Sequence, residues 1–335
     1  MNSRPLFTAT LSNGKRFQAP TDNSLLDAAL ACGLVLEHSC RSGRCGSCRA
    51  QVRSGTVLPI RPDLSLSATE RSRGWILTCA SAAASDVSLD VEDLGLPADI
   101  AVRTLPCRIA SLDLLAPDVM KVALRLPPNT DFRYLPGQYV DMIGTGGLRR
   151  SYSLANVRTD GGNLELHIRQ VPGGTLSAYW FEQARPGDLL RLEGPRGTFF
   201  LRDVAGLDLV FLATGTGIAP IKAMLAQLSR DDGFPLPRSV QLLWGGRRQV
   251  DLYLQPEPPP GDFRYTPVLS RPDDGWAGAR GHVQDVLLQS SPTLESTVVY
   301  ACGSSAMIDS ARAAMTAAGL PARHFFADAF VSSSN

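Results

Sequence analysis

Residues 37–48 read EHSCRSGRCGSC and place three of the chain's seven cysteines within nine positions. These three, Cys40, Cys45 and Cys48, are interleaved with glycine, serine and arginine, and Cys79 follows far downstream in WILTCAS. A C-x4-C-x2-C run with a distant fourth cysteine is the spacing that holds a plant-type [2Fe–2S] cluster through four thiolates. The sequence therefore predicts an iron–sulfur cluster on these four cysteines.

The residues between the cysteines fit this interpretation. Gly43 and Gly46 let the backbone wrap closely, so that amide N–H groups can point at the sulfurs. The negative charge of a reduced cluster would be eased by three arginines, Arg41, Arg44 and Arg49. Structural zinc usually takes two separated cysteine pairs, and a redox dithiol needs only two cysteines, so both alternatives are disfavoured. We expect Cys32 and Cys107 to pack in cores and His38 to be structural.

Composition narrows the class of protein. The chain has 335 residues, 44% hydrophobic and 19% charged, which suits two or three globular domains. Its net charge is +1 without a Lys/Arg block, which argues against nucleic acid or an anionic membrane as a partner. No apolar run reaches the length of a membrane span, and the first residues do not resemble a signal peptide. An odd number of cysteines disfavours a disulfide framework, so we expect a cytoplasmic protein.

The pattern of elements changes twice along the chain. Residues 1–95 contain a hairpin around Asn13-Gly14, a helix in SLLDAALACGL with Ser24 as its N-cap, the cysteine loop and a strand in RAQVRSG. Residues 96–104 are expected to be a linker. Residues 105–203 hold six short strand-like runs separated by turn signals, which predict an antiparallel barrel. Residues 204–335 alternate strands and helices, which predicts a parallel α/β sheet.

The barrel segment contains RRSYSLAN at 149–156. Its R-x-Y-S string resembles the flavin-binding motif of the ferredoxin–NADP reductase family. In that family the Arg contacts the FAD pyrophosphate, the Tyr lies against the isoalloxazine and the Ser approaches flavin N5. The resemblance assigns these roles to Arg150, Tyr152 and Ser153.

Two further landmarks of the same family follow in order. LHIRQVPGGTLS (166–177) resembles the strand and helix start that cradle the FAD phosphates, and EGPRGTFF (193–200) resembles the segment that closes the barrel. Backbone amides at a helix N-terminus are natural anion sites. The FAD-binding residues implied here are His167, Arg169, Gly174, Thr175 and Ser177.

The last segment opens with FLATGTGIAPIKAML (211–225). It places Gly215, Thr216 and Gly217 between a buried strand and a helix with Pro220 in its first turn, so free backbone N–H groups can face a pyrophosphate. The pattern is not the G-x-G-x-x-G fingerprint, and no acidic residue follows at the expected distance. It nevertheless resembles the nicotinamide-nucleotide site of the same family. The next two matching segments, LLWGGRR and YACGSSAMI, imply nucleotide contacts by Gly245, Arg247, Gly303 and Met307.

Four residues are candidates for the chemistry itself. Ser153 is one, by the resemblance given above. Cys302 is expected near the point where nicotinamide and flavin meet, although a buried strand-end thiol is an equally good interpretation. By the same resemblance, Phe330 in FFADAF would lie against the flavin ring, and Asp328 would occupy a position that is acidic in relatives.

The choice between NADH and NADPH is left open by LSRPDD (269–274). Ser270 and Arg271 stand where NADPH-specific relatives bind a 2′-phosphate. Asp273 and Asp274 follow at once and would repel that phosphate. We expect NADH, with NADPH possible.

The resemblance implies a multi-domain α+β and α/β fold. It comprises an N-terminal β-grasp ferredoxin domain, an antiparallel β-barrel FAD domain and a C-terminal parallel α/β nucleotide-binding domain. Electrons would pass from NAD(P)H to FAD and then singly to the cluster. A non-catalytic ferredoxin-like carrier is disfavoured, because the FAD and nucleotide segments are both present.

The sequence has no Rieske pair and no di-iron carboxylate set, so the electrons are expected to leave for a protein acceptor. LEHSC, the run from PCRIASLDLL to GQYVDM, and HFFADAFV resemble the reductases of 3,6-dideoxyhexose biosynthesis. Those enzymes deliver electrons to a pyridoxamine-phosphate-dependent dehydratase of a CDP-4-keto-6-deoxyhexose. Reductase components of Rieske or di-iron oxygenases share the architecture and are the alternative.

Overall fold

The structure, a computed structural model, describes residues 5–95, 100–158, 162–230, 233–290 and 292–330. It divides into two compact units. The first comprises the chain up to Ala101 together with Gly197–Phe199, and the second comprises Val102–Arg196 and Phe200–Phe330. Of the linker predicted at 96–104, residues 96–99 lie outside the described residues, and a strand already begins at Arg103.

The first unit is built around a mixed five-stranded sheet with strand order β2-β1-β7-β3-β5, and a small second sheet pairs β4 with β6. The terminal strands β1 and β7 run parallel and side by side, as in a β-grasp fold. The prediction of this fold is confirmed. Its elements are β1 (Leu6–Leu11), β2 (Arg16–Pro20), α1 (Leu25–Ala31), β3 (Arg49–Ser54), β4 (Val57–Pro59), α2 (Ala68–Ser72), β5 (Trp75–Leu77), β6 (Ser81–Ala83) and β7 (Val87–Leu89).

Local sequence signals account for the start of this unit. The hairpin of β1 and β2 turns at Gly14, whose φ of +79° favours glycine. Helix α1 begins after Ser24, whose hydroxyl accepts a hydrogen bond from Asp27 N at 2.9 Å. The expectation for Cys32 was wrong: its side chain is exposed. Because α1 ends at Ala31, Cys32 becomes the C-cap and leaves the buried face of the helix.

The second unit begins with six antiparallel strands in the order β11-β10-β13-β8-β9-β12. A bridge between Leu154 and Leu166 brings the two edge strands together, as a barrel requires. The predicted antiparallel barrel is confirmed. Its elements are β8 (Arg103–Ala116), β9 (Val119–Arg125), β10 (Tyr139–Ile143), β11 (Arg149–Ser153), β12 (Leu164–Arg169), α3 (Thr175–Glu182) and β13 (Leu189–Arg196).

A parallel six-stranded sheet completes the second unit, with strand order β17-β16-β15-β14-β18-β19. The parallel α/β architecture was predicted, but FFADAF forms a sixth strand paired with β18, which the sequence pattern did not indicate. The elements are β14 (Asp208–Thr214), α4 (Ile218–Leu228), β15 (Ser239–Gly246), β16 (Phe263–Leu269), β17 (Ala279–Arg280), α5 (Val283–Gln289), β18 (Thr297–Ser304), α6 (Ser305–Ala317) and β19 (Phe325–Phe330).

Strand β14 lies between β15 and β18, so the strand order reverses at this point. In open α/β sheets, ligands bind in the crevice at the carboxyl ends of the strands where the order reverses. The turn 215–217 after β14 therefore lies where ligands bind in sheets of this kind.

In the described part of the chain, no helix has the length and apolar character needed to cross a membrane.

Close backbone packing fixes the glycine turn against β18. A Cβ atom built on Gly217 would lie 2.1 Å from the Cys302 carbonyl oxygen. On Gly303, which has φ +150°, a Cβ atom would lie 2.1 Å from Thr214 Oγ1. The ends of β14 and β18 can approach this closely only because neither glycine has a side chain.

We predict that Gly217→Ala destabilises the second unit, because its methyl group meets rigid backbone. Overpacking of this kind costs about 1–3 kcal/mol. Thermal unfolding should show a lower Tm, and titration should show weaker NAD⁺ binding. Gly275→Ala is the matched control, since a Cβ there meets nothing within 4 Å. Equal Tm values for the two variants would contradict the packing argument.

Candidate functional site

Four free thiols meet in the first unit. Cys45, Cys48 and Cys79 are buried, with 7%, 3% and 1% exposure, and Cys40 is partly buried. A hydrogen bond from the Cys45 thiol lowers the pKa of Cys40 to about 4. Cys48 and Cys79 form a second hydrogen-bonded pair in which the pKa of Cys48 is raised and that of Cys79 is lowered. The sulfurs are thus arranged as two neighbouring pairs.

The backbone of the loop faces these sulfurs as the glycine content predicts. Cys40 Sγ accepts from Ser42 N at 3.4 Å and from Cys45 N at 3.3 Å. Gly43 has φ +76°, and a Cβ there would lie 2.2 Å from the Pro62 carbonyl oxygen. The turn therefore needs glycine both for its conformation and for its contact with the chain at Pro62.

Two of the nearby arginines are held by the protein itself. Arg41 pairs with the Asp27 carboxylate, and its carbonyl oxygen accepts from Arg61 Nη1 at 2.8 Å. The other, Arg49, donates from Nη2 to the Ser65 carbonyl oxygen at 2.6 Å. These contacts fix the shape of the cysteine loop in addition to supplying positive charge.

The four thiols fit a two-iron cluster. A [2Fe–2S] cluster takes two thiolates on each iron. The pairs Cys40–Cys45 and Cys48–Cys79 match that requirement, and their backbone amides supply hydrogen bonds to sulfur.

The predicted flavin motif lies on β11, paired with β10. Arg150 and Tyr152 are two residues apart and share one face of the strand, while Ser153 is on the other and is 6% exposed. The Tyr152 ring meets Trp180 edge-on, with ring centroids 6.4 Å apart. Burial raises the pKa of Tyr152 to about 12, so the phenol is neutral at physiological pH.

The start of α3 fits the phosphate end of FAD. Its N-cap, Gly174, supplies no side-chain hydrogen bond, so the first-turn N–H groups are not capped by it. A Cβ on Gly174 would lie 2.6 Å from Ser177 Oγ. That hydroxyl donates to the Gly174 carbonyl at 2.9 Å and so shapes the turn before Thr175. A bare helix start of this kind binds anions.

Two residues predicted to bind FAD have protein partners. Both ring nitrogens of His167 are engaged: Nε2 lies 2.8 Å from Glu165 Oε1 and Nδ1 lies 3.0 Å from the Tyr253 hydroxyl. Arg169 Nε lies 3.2 Å from the Asp118 carboxylate. A direct FAD contact by either side chain remains a prediction, and it would require these partners to be shared or exchanged.

The turn after β14 fits a dinucleotide pyrophosphate. Helix α4 follows Gly217 directly, and no side chain caps its N-terminus. Thr216 is 8% exposed, and Pro220 lies buried in the first turn of α4, where it needs no N–H donor. Gly245 lies next to the end of β15, where a Cβ would meet Val283 Cγ1 at 3.0 Å and Thr214 Cγ2 at 3.2 Å, so a side chain would fit only if these neighbours shifted.

The residues predicted to choose between NADH and NADPH are neighbours in the fold. The Arg271 amide donates to the Arg247 carbonyl at 2.9 Å, and the Ser270 amide donates to the Gly246 carbonyl at 3.0 Å. Asp251 caps the same turn, since its Oδ2 accepts from Arg247 N at 2.7 Å. The structure thus brings the backbone of Arg247 and Arg271 together.

The candidates near the nicotinamide differ in accessibility. Cys302 is fully buried, and burial raises the pKa of its thiol. It lies beside Asp328 in the register of β18 and β19. Phe330 is 39% exposed, so its side chain is accessible. Met307 lies in the first turn of α6, where its amide donates to Ser304 Oγ at 3.3 Å. Their roles remain predictions.

Three domain families match the chain. They are a 2Fe-2S iron-sulfur cluster binding domain at residues 10–84, an oxidoreductase FAD-binding domain at 106–201 and an oxidoreductase NAD-binding domain at 211–313. A CDP-6-deoxy-L-threo-D-glycero-4-hexulose-3-dehydrase reductase of Yersinia pestis is 40% identical, covering 96% of this chain and 97% of its own. This chain belongs to the iron–sulfur flavoprotein reductases.

Other relatives of the reductase are the reductase of a dioxygenase and the reductase of a cytochrome P450. The terephthalate 1,2-dioxygenase reductase component 2 of a Comamonas species is 34% identical over 94% of each chain. The crystal structure of the Amycolatopsis cytochrome P450 reductase GcoB superposes with a TM-score of 0.72 at 30% identity, covering 98% of this chain and 100% of its own. The reductase passes electrons from NAD(P)H through FAD and a [2Fe–2S] cluster to a protein acceptor.

When bound, FAD takes two electrons at once and releases them singly, and the cluster carries one at a time. The chain's own residues would bind and orient these groups. The four cysteine thiolates and the loop amides would hold the cluster, and the uncapped starts of α3 and α4 would bind the phosphates of FAD and of the nucleotide. The network joining Glu165, His167 and Tyr253 was missed by sequence analysis. Its only sequence signal is the polar half of the alternating LELHIR segment.

We predict that Cys45→Ser removes one cluster ligand and abolishes one-electron delivery to a protein acceptor. Reduction of FAD by NADH should continue, because the flavin and nucleotide residues lie in the other unit. Stopped-flow absorbance would follow the flavin, and electron paramagnetic resonance would follow the cluster. Cys32→Ser is the matched control, since that exposed thiol lies outside the ligand set. Unchanged delivery by Cys45→Ser would contradict the assigned electron route.

Proposed function

We propose that the reductase donates electrons to the pyridoxamine-phosphate-dependent dehydratase of a CDP-4-keto-6-deoxyhexose, in 3,6-dideoxyhexose biosynthesis. The observation that supports this acceptor most strongly is the identity with the Yersinia dehydrase reductase. It reaches 40% over nearly the full length of both chains, against 34% for the terephthalate dioxygenase component. The activity would be that of a CDP-4-dehydro-6-deoxyglucose reductase.

In this function, electrons from the reductase reduce the glucoseen intermediate bound to the dehydratase and complete the removal of oxygen from C3. The dehydratase would supply the sugar site, and the reductase would supply electrons one at a time. A one-electron carrier at the end of the chain suits this division of labour.

We propose NADH as the donor. Asp273 and Asp274 follow Arg271 on the same exposed segment, and their charges oppose a bound 2′-phosphate. The positive charges of Arg247 and Arg271 would instead attract a 2′-phosphate. Both nucleotides are therefore compared in the experiment below.

A second candidate acceptor is an oxygenase. The similarity to the terephthalate 1,2-dioxygenase reductase component extends over 94% of each chain, so the same three-part architecture serves a ring-hydroxylating system.

Anaerobic turnover with a purified CDP-4-keto-6-deoxyglucose dehydratase tests the proposal. The mixture contains NADH, the reductase and the CDP-sugar, and the product is scored by mass spectrometry as the 3,6-dideoxy sugar. We expect product with NADH, less with NADPH, and none with the Cys45→Ser variant. If flavin and cluster are reduced but no dideoxy sugar forms, the dehydratase is the wrong acceptor. An oxygenase component would then be tested in its place.

A further inference from the structure

The strand β12 has two faces of different chemistry. In LELHIR, Leu164, Leu166 and Ile168 are fully buried in the barrel core, as alternation in a strand requires. The side chains of the intervening polar row, Glu165, His167 and Arg169, contact residues of the parallel-sheet half.

At the centre of this row, a hydrogen-bonded chain runs from the barrel to the nucleotide-binding half. Burial lowers the pKa of His167 despite its carboxylate neighbour, so the imidazole is neutral. Burial alone would raise the pKa of Glu165, but its hydrogen bond with His167 and the charge of Lys222 lower it to about 2. An ionised carboxylate can only accept, so His167 Nε2 carries the proton and Nδ1 accepts from the Tyr253 hydroxyl.

Tyr253 connects this hydrogen-bonded chain to the glycine turn at residues 215–217. Its ring meets Trp244 edge-on, with centroids 5.2 Å apart. The fully buried Trp244 donates from Nε1 to the Gly215 carbonyl oxygen at 3.0 Å. The first residue of the pyrophosphate-binding turn is thus held by a side chain that Tyr253 braces.

The helix after the turn is held to the barrel as well. Lys222 of α4 donates to Glu165 Oε1 at 3.0 Å and to the Ala155 carbonyl at 3.2 Å. The Ala155 amide in turn donates to the Glu165 carbonyl at 2.8 Å. Ala155 comes two residues after Ser153 of the flavin motif, so this clamp lies next to the predicted flavin contact.

The remaining member of the row reaches the same turn. A Cβ built on Gly215 would lie 3.0 Å from Arg169 Nη1, so the guanidinium rests beside the turn. Arg169 Nη2 also lies 3.6 Å from the Asp251 carboxylate. The polar side chains of β12 therefore reach the turn 215–217 directly, through Tyr253 and Trp244, or through the helix that follows the turn.

We propose that Tyr253 and His167 are positioning residues for hydride transfer. Their hydrogen bond would fix the pyrophosphate-binding turn, and through it the nicotinamide, relative to the barrel strand that holds the flavin. Misplacement of reacting groups by about 1 Å can slow a reaction by about 100-fold, so a small shift of the turn matters. The proposal rests on the electron chain of the reductase and is independent of its final acceptor.

The test compares Tyr253→Phe with wild type in the FAD-loaded, cluster-loaded reductase. The substitution keeps the ring beside Trp244 and removes only the hydroxyl group that donates a hydrogen bond to His167 Nδ1. At saturating NADH and without any acceptor, the limiting rate of FAD reduction should fall about tenfold. Hydrogen–deuterium exchange should rise in the amides of residues 214–218, while FAD content stays unchanged.

Tyr134→Phe is the matched control. Its hydroxyl is also sheltered and donates to the Asn156 carbonyl at 2.9 Å, but this contact lies within the barrel. The control should lose comparable thermal stability while reducing FAD at the wild-type rate. Trp244→Phe, which removes the donor to Gly215, is a second variant if Tyr253→Phe folds poorly, and it should slow FAD reduction in the same way.

A double variant tests whether Tyr253 acts through His167. In a His167→Gln background, adding Tyr253→Phe should cause little further loss of rate, because the shared hydrogen bond is already gone. The proposal is overturned if Tyr253→Phe reduces FAD at the wild-type rate with unchanged exchange, or if Tyr134→Phe slows reduction equally. Because the readout ends at the flavin, a wrong choice of acceptor cannot produce either result.

Discussion

The arrangement of the second unit depends on the polar row of β12, whose side chains join the barrel to the parallel sheet. A barrel and a parallel sheet could each fold around their own cores. What joins them here is a chain of hydrogen bonds through Glu165, His167 and Tyr253, in which the carboxylate accepts from His167 and the neutral imidazole accepts from Tyr253. Such a network is favourable only when every member has its partner, because a lone buried polar group is costly. It therefore selects one arrangement of the two halves.

Much of this architecture could be predicted from the sequence, because the decisive signals are local. The cysteine spacing is set by one loop, and Ser24 and Gly14 act on their immediate neighbours. The alternation of apolar and polar residues predicted the barrel strands, and the change to alternating strands and helices predicted the parallel sheet. In each case the residues that decide the structure lie within a few positions of one another.

One prediction was wrong because of where a helix ends, and one network was missed because its residues are separated along the chain. Cys32 is exposed because α1 ends one residue earlier than its apolar pattern. His167 and Arg169 were assigned to FAD by resemblance, and that assignment stays a prediction. Their contacts with the parallel-sheet half were missed, because alternation alone does not say what faces the polar side of a strand. Tyr253 lies 86 residues from His167, so only the folded chain brings them together.

The central claim is the order of electron flow, from nucleotide to flavin to cluster to acceptor. It is tested most directly by mixing wild-type reductase with NADH under anaerobic conditions and freezing samples at successive times. Flavin absorbance and the paramagnetic signal of the reduced cluster would be recorded on the same samples. The account predicts that the flavin is reduced first and the cluster afterwards. Cluster reduction in protein depleted of FAD, at the rate of the complete protein, would contradict it.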